Sequence, residues 1–292
     1  MGLKTTVHHD CTLLEILQEL YPQSPRTRIK QILQHDNVIC NGKVVTLHSF
    51  RLKPGDVVEV RSSAGIQKRT ATPFRVLYED QDVIVVEKPA GISTSSIDNS
   101  PNVYHILSQY LKDGSKGRIK AYVVHRLDKE VSGVLLFAKS EKTMNIIKDN
   151  WKETKKLYFA LVEGRPENPE GTIESWLVED KNLKVHSTPT QSEKAKFAIT
   201  HYRTIKQLNR ITLLEVNIET GRKNQIRVHM SDLGCPIVGD RKYGASADFV
   251  RRVRLHACRL SFPHPVSKEI ITVESPLPEG FLVLKNKNED YK

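Results

Sequence analysis

Short stripes of apolar residues at helical spacing alternate along this chain with apolar runs of strand length. Leu13, Ile16, Leu17 and Leu20 form one such stripe. It lies behind Thr12-Leu13-Leu14-Glu15, where a hydroxyl at the N-cap and a carboxylate three residues on make a capping box. A second helix is predicted from Ser24-Pro25, a capping serine followed by a first-turn proline, with Ile29, Ile32 and Leu33 as its stripe. Asn41-Gly42 between Val38-Ile39-Cys40 and Lys43-Val44-Val45 predicts a tight hairpin. A strand over Val57-Val58-Glu59-Val60 follows the turn Pro54-Gly55-Asp56. From Arg61 to Pro73 the periodicity stops and small polar residues take over, which predicts a flexible linker.

Periodicity resumes near Phe74. Val83-Ile84-Val85-Val86 reads as a strand covered on both faces, and it runs into the sharply turning Glu87-Lys88-Pro89-Ala90-Gly91. Helices are predicted over 103–111 and behind Ser140, the latter with Met144, Ile147 and Trp151 at helical spacing. Leu157–Val162 reads as a strand, and strict alternation over 211–218 as a half-buried one. A helix is expected from Arg222 to Leu233, then strands around 255–262 and 269–273. Strands and helices follow without regular β-α-β repetition, so the expected class is α+β, with a large mixed, mainly antiparallel sheet and flanking helices. The expected divisions are a small unit over 1–62, a linker over 63–73, a main domain over 74–284 and a charged tail over 285–292.

Charge adds a partner class. Across 292 residues, 38% of them hydrophobic, the formal net charge is +11. The excess is clustered, as in Arg26-Thr27-Arg28-Ile29-Lys30 and Arg251-Arg252-Val253-Arg254, which favours a polyanion over a merely soluble basic surface. Arg26 and Lys30 stand one turn apart with Arg28 beside them, a face suited to phosphates. The four cysteines are scattered and form no C-x-x-C pair, and the histidines lack a metal-binding spacing, so reduced core thiols and no metal are expected. No apolar run has the length of a membrane span, so a soluble cytoplasmic protein, by default a monomer, is expected.

No phosphate loop, G-x-G-x-x-G or G-x-S-x-G elbow is present, which weakens the ATPase, dinucleotide-enzyme and hydrolase readings. The stretch that remains for chemistry is Tyr122-Val123-Val124-His125-Arg126-Leu127-Asp128-Lys129-Glu130-Val131-Ser132-Gly133-Val134-Leu135-Leu136-Phe137-Ala138-Lys139. It sets a carboxylate at the edge of a buried strand, where the backbone is well fixed. Downstream, Gly221-Arg222-Lys223-Asn224-Gln225-Ile226-Arg227-Val228-His229 carries more polar groups than a helix can bury unpaired. Asp128 is the evident anion for Arg227.

The first unit resembles the S-four RNA-binding domain in its Arg-rich second helix, its Val-Ile-Cys-Asn-Gly-Lys-Val turn and its Leu52-Lys53-Pro54-Gly55-Asp56 approach to the last strand. The main domain closely resembles the RluA-type pseudouridine synthases. The resemblance rests on His125-Arg126-Leu127-Asp128 with Ser132–Lys139, on Gly221-Arg222 with Gln225–His229, on Val86–Gly91, on Tyr158 in Leu-Tyr-Phe-Ala-Leu-Val-Glu-Gly, on Pro236–Asp240, and on Leu255-His256-Ala257 leading to Phe262–Pro265. Asn224 stands where that family usually has histidine, and Val131 where threonine is usual.

The resemblance implies isomerisation of a uridine in RNA, without cofactor or metal. Asp128 would be the nucleophile, Arg227 its counter-ion, lowering its pKa by roughly one to three pH units, and Tyr158 the ring that stacks on the uracil. Arg126 would enter the RNA stack where the base has left, and His125 would help position the loop. Lys88, Arg222 and the Arg26, Arg28 and Lys30 face would contact RNA. Ribosomal RNA of the large subunit is favoured as target over transfer RNA. A pure RNA-binding module and a base-releasing or RNA-cleaving enzyme are the rival classes.

Overall fold

One apolar core is built by residues 7–60, and further apolar clusters run through the sheet that follows. The computed structural model describes residues 3–22, 29, 33, 38–60, 72–96, 100–246 and 252–283. In the first unit the capping box forms as the sequence predicts: Glu15 N donates to Thr12 Oγ1 at 3.3 Å, and Thr12 N donates to the Glu15 carboxylate at 2.7 Å. It starts helix α1 (Leu13–Leu20), whose Leu13, Ile16 and Leu17 are buried. Ile29 and Leu33 are helical and join the same core. The rest of the predicted second helix, including Arg26, Arg28 and Lys30, lies outside the described residues, as do most of the linker and the tail.

The strands of this unit are β1 (Leu3–Thr6), β2 (Cys11–Thr12), β3 (Val38–Cys40), β4 (Lys43–Val44), β5 (Arg51–Leu52) and β6 (Val57–Val60). Four of them form a sheet in the order β1-β6-β3-β4. Asn41 (φ 50°) and Gly42 (φ 81°) both take the left-handed conformation that a two-residue hairpin needs. Asn41 also reaches the strand alongside, accepting from Val57 N at 2.8 Å.

The second sheet contains β7 (Arg75–Glu79), β8 (Val83–Lys88), β9 (Tyr122–Val123), β10 (Ser132–Ala138), β11 (Lys155–Glu163), β12 (Glu170–Glu179), β13 (Val185–Thr188), β14 (Lys196–Leu208), β15 (Ile211–Ile218), β16 (Leu255–Pro263) and β17 (Ile270–Glu274). Its spine runs β13-β12-β14-β15-β11-β16-β10-β8-β7, with β9 beside β10 and β17 beside β16. The sheet is mixed: β10 pairs in parallel with β16, and the other pairings are antiparallel. All seven residues of β10 are buried, as the apolar run behind Ser132 requires of a central strand. At the parallel contact Gly133 (φ 122°) faces Ala257 so closely that a Cβ there would lie 2.2 Å from the Ala257 carbonyl oxygen. A glycine is needed at that crossing.

Helices α2 (Val103–Ser115) and α3 (Glu141–Asp149) are capped by Asn102 and Ser140, whose side chains accept from His105 N and Thr143 N. The last helix is shorter than its sequence suggests. Asn224 has a left-handed backbone (φ 54°), so regular turns cannot run back to Arg222, and α4 spans Gln225–Asp232. Its Gln225 and His229 are buried but satisfied. Gln225 donates to Ile199 O and Thr200 Oγ1, and His229 is bracketed by Ser175 at 2.9 Å and Thr200 at 2.8 Å.

Candidate active site

Just before β10 the chain forms a loop whose backbone is held from two sides. Thr94 Oγ1 donates to Leu127 O (2.9 Å) and accepts from Leu127 N (3.1 Å), Gly91 N donates to Lys129 O (2.7 Å), and Val131 N donates to Asp128 O (3.1 Å). Beneath the loop Lys88, 0% exposed, donates from Nζ to Pro89 O, Ile92 O and Lys129 O at 3.0, 2.8 and 3.2 Å. Burial pushes its pKa down to about 8. Lys88 was expected to contact phosphate; its ammonium is instead fully engaged with backbone carbonyls, and it ties the 89–92 turn to the loop that carries Asp128.

His125 is also a strut. Its Nε2 accepts from Leu136 N at 3.1 Å, its ring packs on Trp151 at 5.0 Å, and burial pushes its pKa down to about 3. A neutral imidazole with that nitrogen engaged braces the loop against β10. Arg126, between two anchored neighbours, is exposed at the mouth of the site.

The structure brings Asp128 and Arg227 together across 99 residues of chain, with Arg227 Nη1 to Asp128 Oδ2 at 3.4 Å. That contact is the weaker half of the arginine's environment. The fork of Arg227 is bidentate on Asp240, Nε to Oδ2 at 2.6 Å and Nη2 to Oδ1 at 2.8 Å, with the Asp240 side chain 1% exposed. Its face lies over the Tyr243 ring at 5.1 Å. Nη1 remains for Asp128, for Glu130 Oε2 at 3.3 Å and for Asn224 Oδ1 at 3.3 Å. Asn224 in turn donates to the Tyr243 hydroxyl at 2.8 Å, so the asparagine at this departure from the family pattern links the arginine to the ring beneath it.

The electrostatic outcome differs from expectation. Desolvation at the floor of the cleft raises the Asp128 pKa above the ordinary carboxylate value; Arg227 opposes this, while Glu130 and Asp240 reinforce it. With the guanidinium committed to Asp240, its pull on Asp128 does not prevail.

Tyr158 stands on β11, buried, between Val216 of β15 and Ala257 of β16. Burial and the nearby Asp128 charge push its phenol pKa up, so the hydroxyl keeps its proton at neutral pH. Asp128, Tyr158 and Arg227 line one small recess of about 80 Å³, with Val131, Ile218 and Leu255 as its apolar walls. The recess opens into a cleft of about 770 Å³ rimmed by Arg126, Lys129, Arg222, Lys223 and Lys242. Arg222 is exposed, and its Nε is anchored on Phe197 O at 2.9 Å. A carboxylate, a protonated phenol and a fixed guanidinium at the end of a basic cleft suit a flat polar base delivered on a phosphate backbone.

Sequence reasoning placed Asp128, Tyr158 and Arg227 in one site but missed Asp240, Tyr243 and Glu130 as its supports. Asp240 carried a signal, an acid directly behind the apolar Ile237-Val238 and Gly239. Which base it serves is written only in the fold.

Residues 82–232 match the family model described as RNA pseudouridylate synthase, and residues 12–58 match the S4 domain. The chain is 34% identical to an uncharacterised RNA pseudouridine synthase, YlyB, of Bacillus subtilis, over 89% of this chain and 88% of that protein. It is 31% identical to ribosomal large subunit pseudouridine synthase D of Xanthomonas campestris, over 90% of this chain and 85% of that one. Among solved structures it is similar to human RNA pseudouridylate synthase domain containing 4, with a TM-score of 0.61 and 25% identity over 71% of this chain and 90% of that one.

Proposed function

The chain belongs to the RNA pseudouridylate synthase family, as an RluA-type isomerase acting on RNA, and on that premise we propose that Asp128 is the nucleophile in converting uridines of large-subunit ribosomal RNA to pseudouridine. The target class follows the names of relatives such as ribosomal large subunit pseudouridine synthase D and the S4 domain in front. The boundaries proposed above give the unit over 1–62 the task of holding structured RNA and the domain over 74–284 the chemistry.

One observation carries the assignment of Asp128. Its carboxylate sits at the end of a basic cleft where, among the described residues, its one side-chain hydrogen bond is a long contact, 3.4 Å, to an arginine whose strong bonds go elsewhere. It is positioned without being neutralised.

The uridine must leave the RNA stack at a cost of a few kcal/mol, offset by stacking on Tyr158 at about 1–3 kcal/mol and by phosphate contacts. Arg126, at the mouth, fills the gap left in the RNA, and Arg222 contacts the backbone from the opposite wall. In the recess the bond between uracil N1 and the sugar breaks, Asp128 holds the sugar carbon, and the base leaves as an anion near Arg227. After rotation, C5 bonds to the sugar carbon and releases the carboxylate, C5 loses its proton, and N1 gains one. Atoms and charge balance with no added reactant. Tyr158, being protonated, assists by accepting the C5 proton as it passes its own to the freed Asp128.

The test is direct. Wild-type protein and Asp128→Asn are incubated with large-subunit ribosomal RNA transcribed in vitro, and pseudouridine is mapped while RNA mass is followed. Conversion at unchanged mass by the wild type alone, with binding retained by the variant, supports the reading. Base loss or strand cleavage identifies the rival enzyme class, and normal conversion by the variant removes Asp128 as nucleophile.

A further inference from the structure

Lys156 is the one cleft residue whose burial the network around Asp128 leaves unexplained. It lies on β11 two residues before Tyr158, and both line the same cleft. The residue is 6% exposed. Its ammonium sits 5.8 Å from the centroid of the Trp151 ring. Burial lowers its pKa, and the charge acting on it is the positive Arg222, which lowers it further. His125, whose pKa the Lys156 charge helps to lower, is held neutral. Among the described residues Lys156 has no carboxylate and no hydrogen-bond acceptor as partner.

A cation buried this far without an anion lowers stability, so a fold keeps one where an anion arrives from outside. Lys88, the other buried lysine of this region, shows the contrast: its ammonium is capped by three carbonyls and faces inward. Lys156 instead has its stem buried and its head at the wall of a cleft that takes RNA.

Resting on the function proposed above, we propose that Lys156, with the face of Trp151 beneath it and Arg222 beside it, forms a seat for the backbone phosphate flanking the flipped uridine. Lys156 and Tyr158 stand two residues apart on β11 and line the same cleft, so one nucleotide can engage both. Tyr158 then holds the base while Lys156 holds the backbone that delivers it. This contact is distinct from the rim: Lys223 pairs with Glu179, and Lys242 donates to Leu183 O at 3.0 Å, whereas Lys156 is unpaired before RNA binds.

The experiment compares full-length wild type, Lys156→Met and Lys156→Arg on a protein-free transcript of large-subunit ribosomal RNA. Binding is followed by fluorescence anisotropy across a potassium chloride series, turnover by pseudouridine formation, and folding by thermal melting. Met conserves volume and removes the unpaired charge. It should melt at or above the wild-type temperature while KM rises about tenfold and kcat stays within about twofold. The slope of log K against log salt should become shallower by about 0.7, the loss of one phosphate on single-stranded RNA. Arg should restore most of the affinity and the slope.

An unchanged KM and slope in Lys156→Met overturns the seat, as does a loss of kcat at constant KM. A lower melting temperature with unaltered binding shows a structural lysine and overturns it too. The anisotropy series reads the contact even if no pseudouridine forms. Wild type that binds without converting therefore counts against the isomerase reading of this RNA, while a Met variant that binds and converts like wild type counts against Lys156 alone.

Discussion

Arg227 gives its two-pronged hydrogen bond to Asp240, at 2.6 and 2.8 Å, and only a 3.4 Å contact to Asp128. Bidentate charge-assisted pairs are the strong ones, so Asp240 fixes where the arginine points and Asp128 receives what is left. The arrangement orients the Asp128 carboxylate without quenching it.

Replacing Asp240 tests that division of labour. Asp240→Asn leaves Arg227 buried with one acceptor fewer and only the longer contacts to Asp128 and Glu130, at 3.4 and 3.3 Å, as counter-charge, which should cost about 3 kcal/mol in urea unfolding. The guanidinium becomes free to turn its fork onto Asp128. We expect kcat to fall while KM for RNA holds within about threefold. Unaltered kcat in folded Asp240→Asn would show that the arginine needs no such holder.

These relationships mark what was legible in the sequence. The apolar runs of β8, β10 and β11 and the caps Thr12 and Ser140 could be read directly, because burial on both faces and capping chemistry are local. The strands over 170–179, 185–188 and 196–208 were not read, since they are largely half-exposed and carry many polar residues among the apolar ones. Asp128, Tyr158 and Arg227 could be named from motifs. The pairing of Arg227 with Asp240 over Asp128, and the inward turn of Lys88, depend on which groups the fold desolvates, and a motif does not carry that. The helix start was misjudged because a polar Asn224 reads equally well as a first-turn residue and as a left-handed cap.

Glu130 shares Arg227 Nη1 with Asp128 and is about half exposed. Its charge helps hold the Asp128 pKa above the ordinary value. Glu130→Gln removes a like charge and leaves Nη1 to Asp128, so the acid limb of kcat/KM should move to lower pH. A shift of about 0.2–0.7 pH unit is expected, the size of a partly exposed ion pair worth about 0.2–1 kcal/mol. A limb that stays in place, or moves up, would separate Glu130 from the Asp128 titration.

The same raised pKa makes a stability prediction for Asp128 itself. A carboxyl whose folded pKa lies above its unfolded value contributes stability below the ordinary carboxylate range and loses it as pH rises through the folded value. At neutral pH the ionised form is therefore a net cost to the fold. Asp128→Asn should melt at or above the wild-type temperature at pH 7, with the advantage vanishing as pH falls toward about 4. Calorimetry across that range checks it; a variant less stable at every pH would contradict the sign.

Tyr158 separates stacking from proton handling. Tyr158→Ala removes the ring and should raise KM by roughly tenfold or more, in line with about 1–3 kcal/mol per stacked base. Tyr158→Phe keeps the ring and loses the proton relay, so KM should hold while kcat falls about 10²-fold. Full activity in the Phe variant would leave the ring as a platform alone.

The parallel crossing of β10 and β16, where Gly133 meets Ala257, has a consequence for how the enzyme comes into being. Ser132 and His256, hydrogen-bonded there at 2.9 Å, are 124 residues apart in the chain. Contacts of such separation are made late, after local hairpins and helices have formed. The strand that follows Asp128 thus waits for a neighbour translated 124 residues later. While that neighbour is missing, the first unit, whose core lies within residues 7–60, can already be complete, so the two units can be finished in the order of their synthesis.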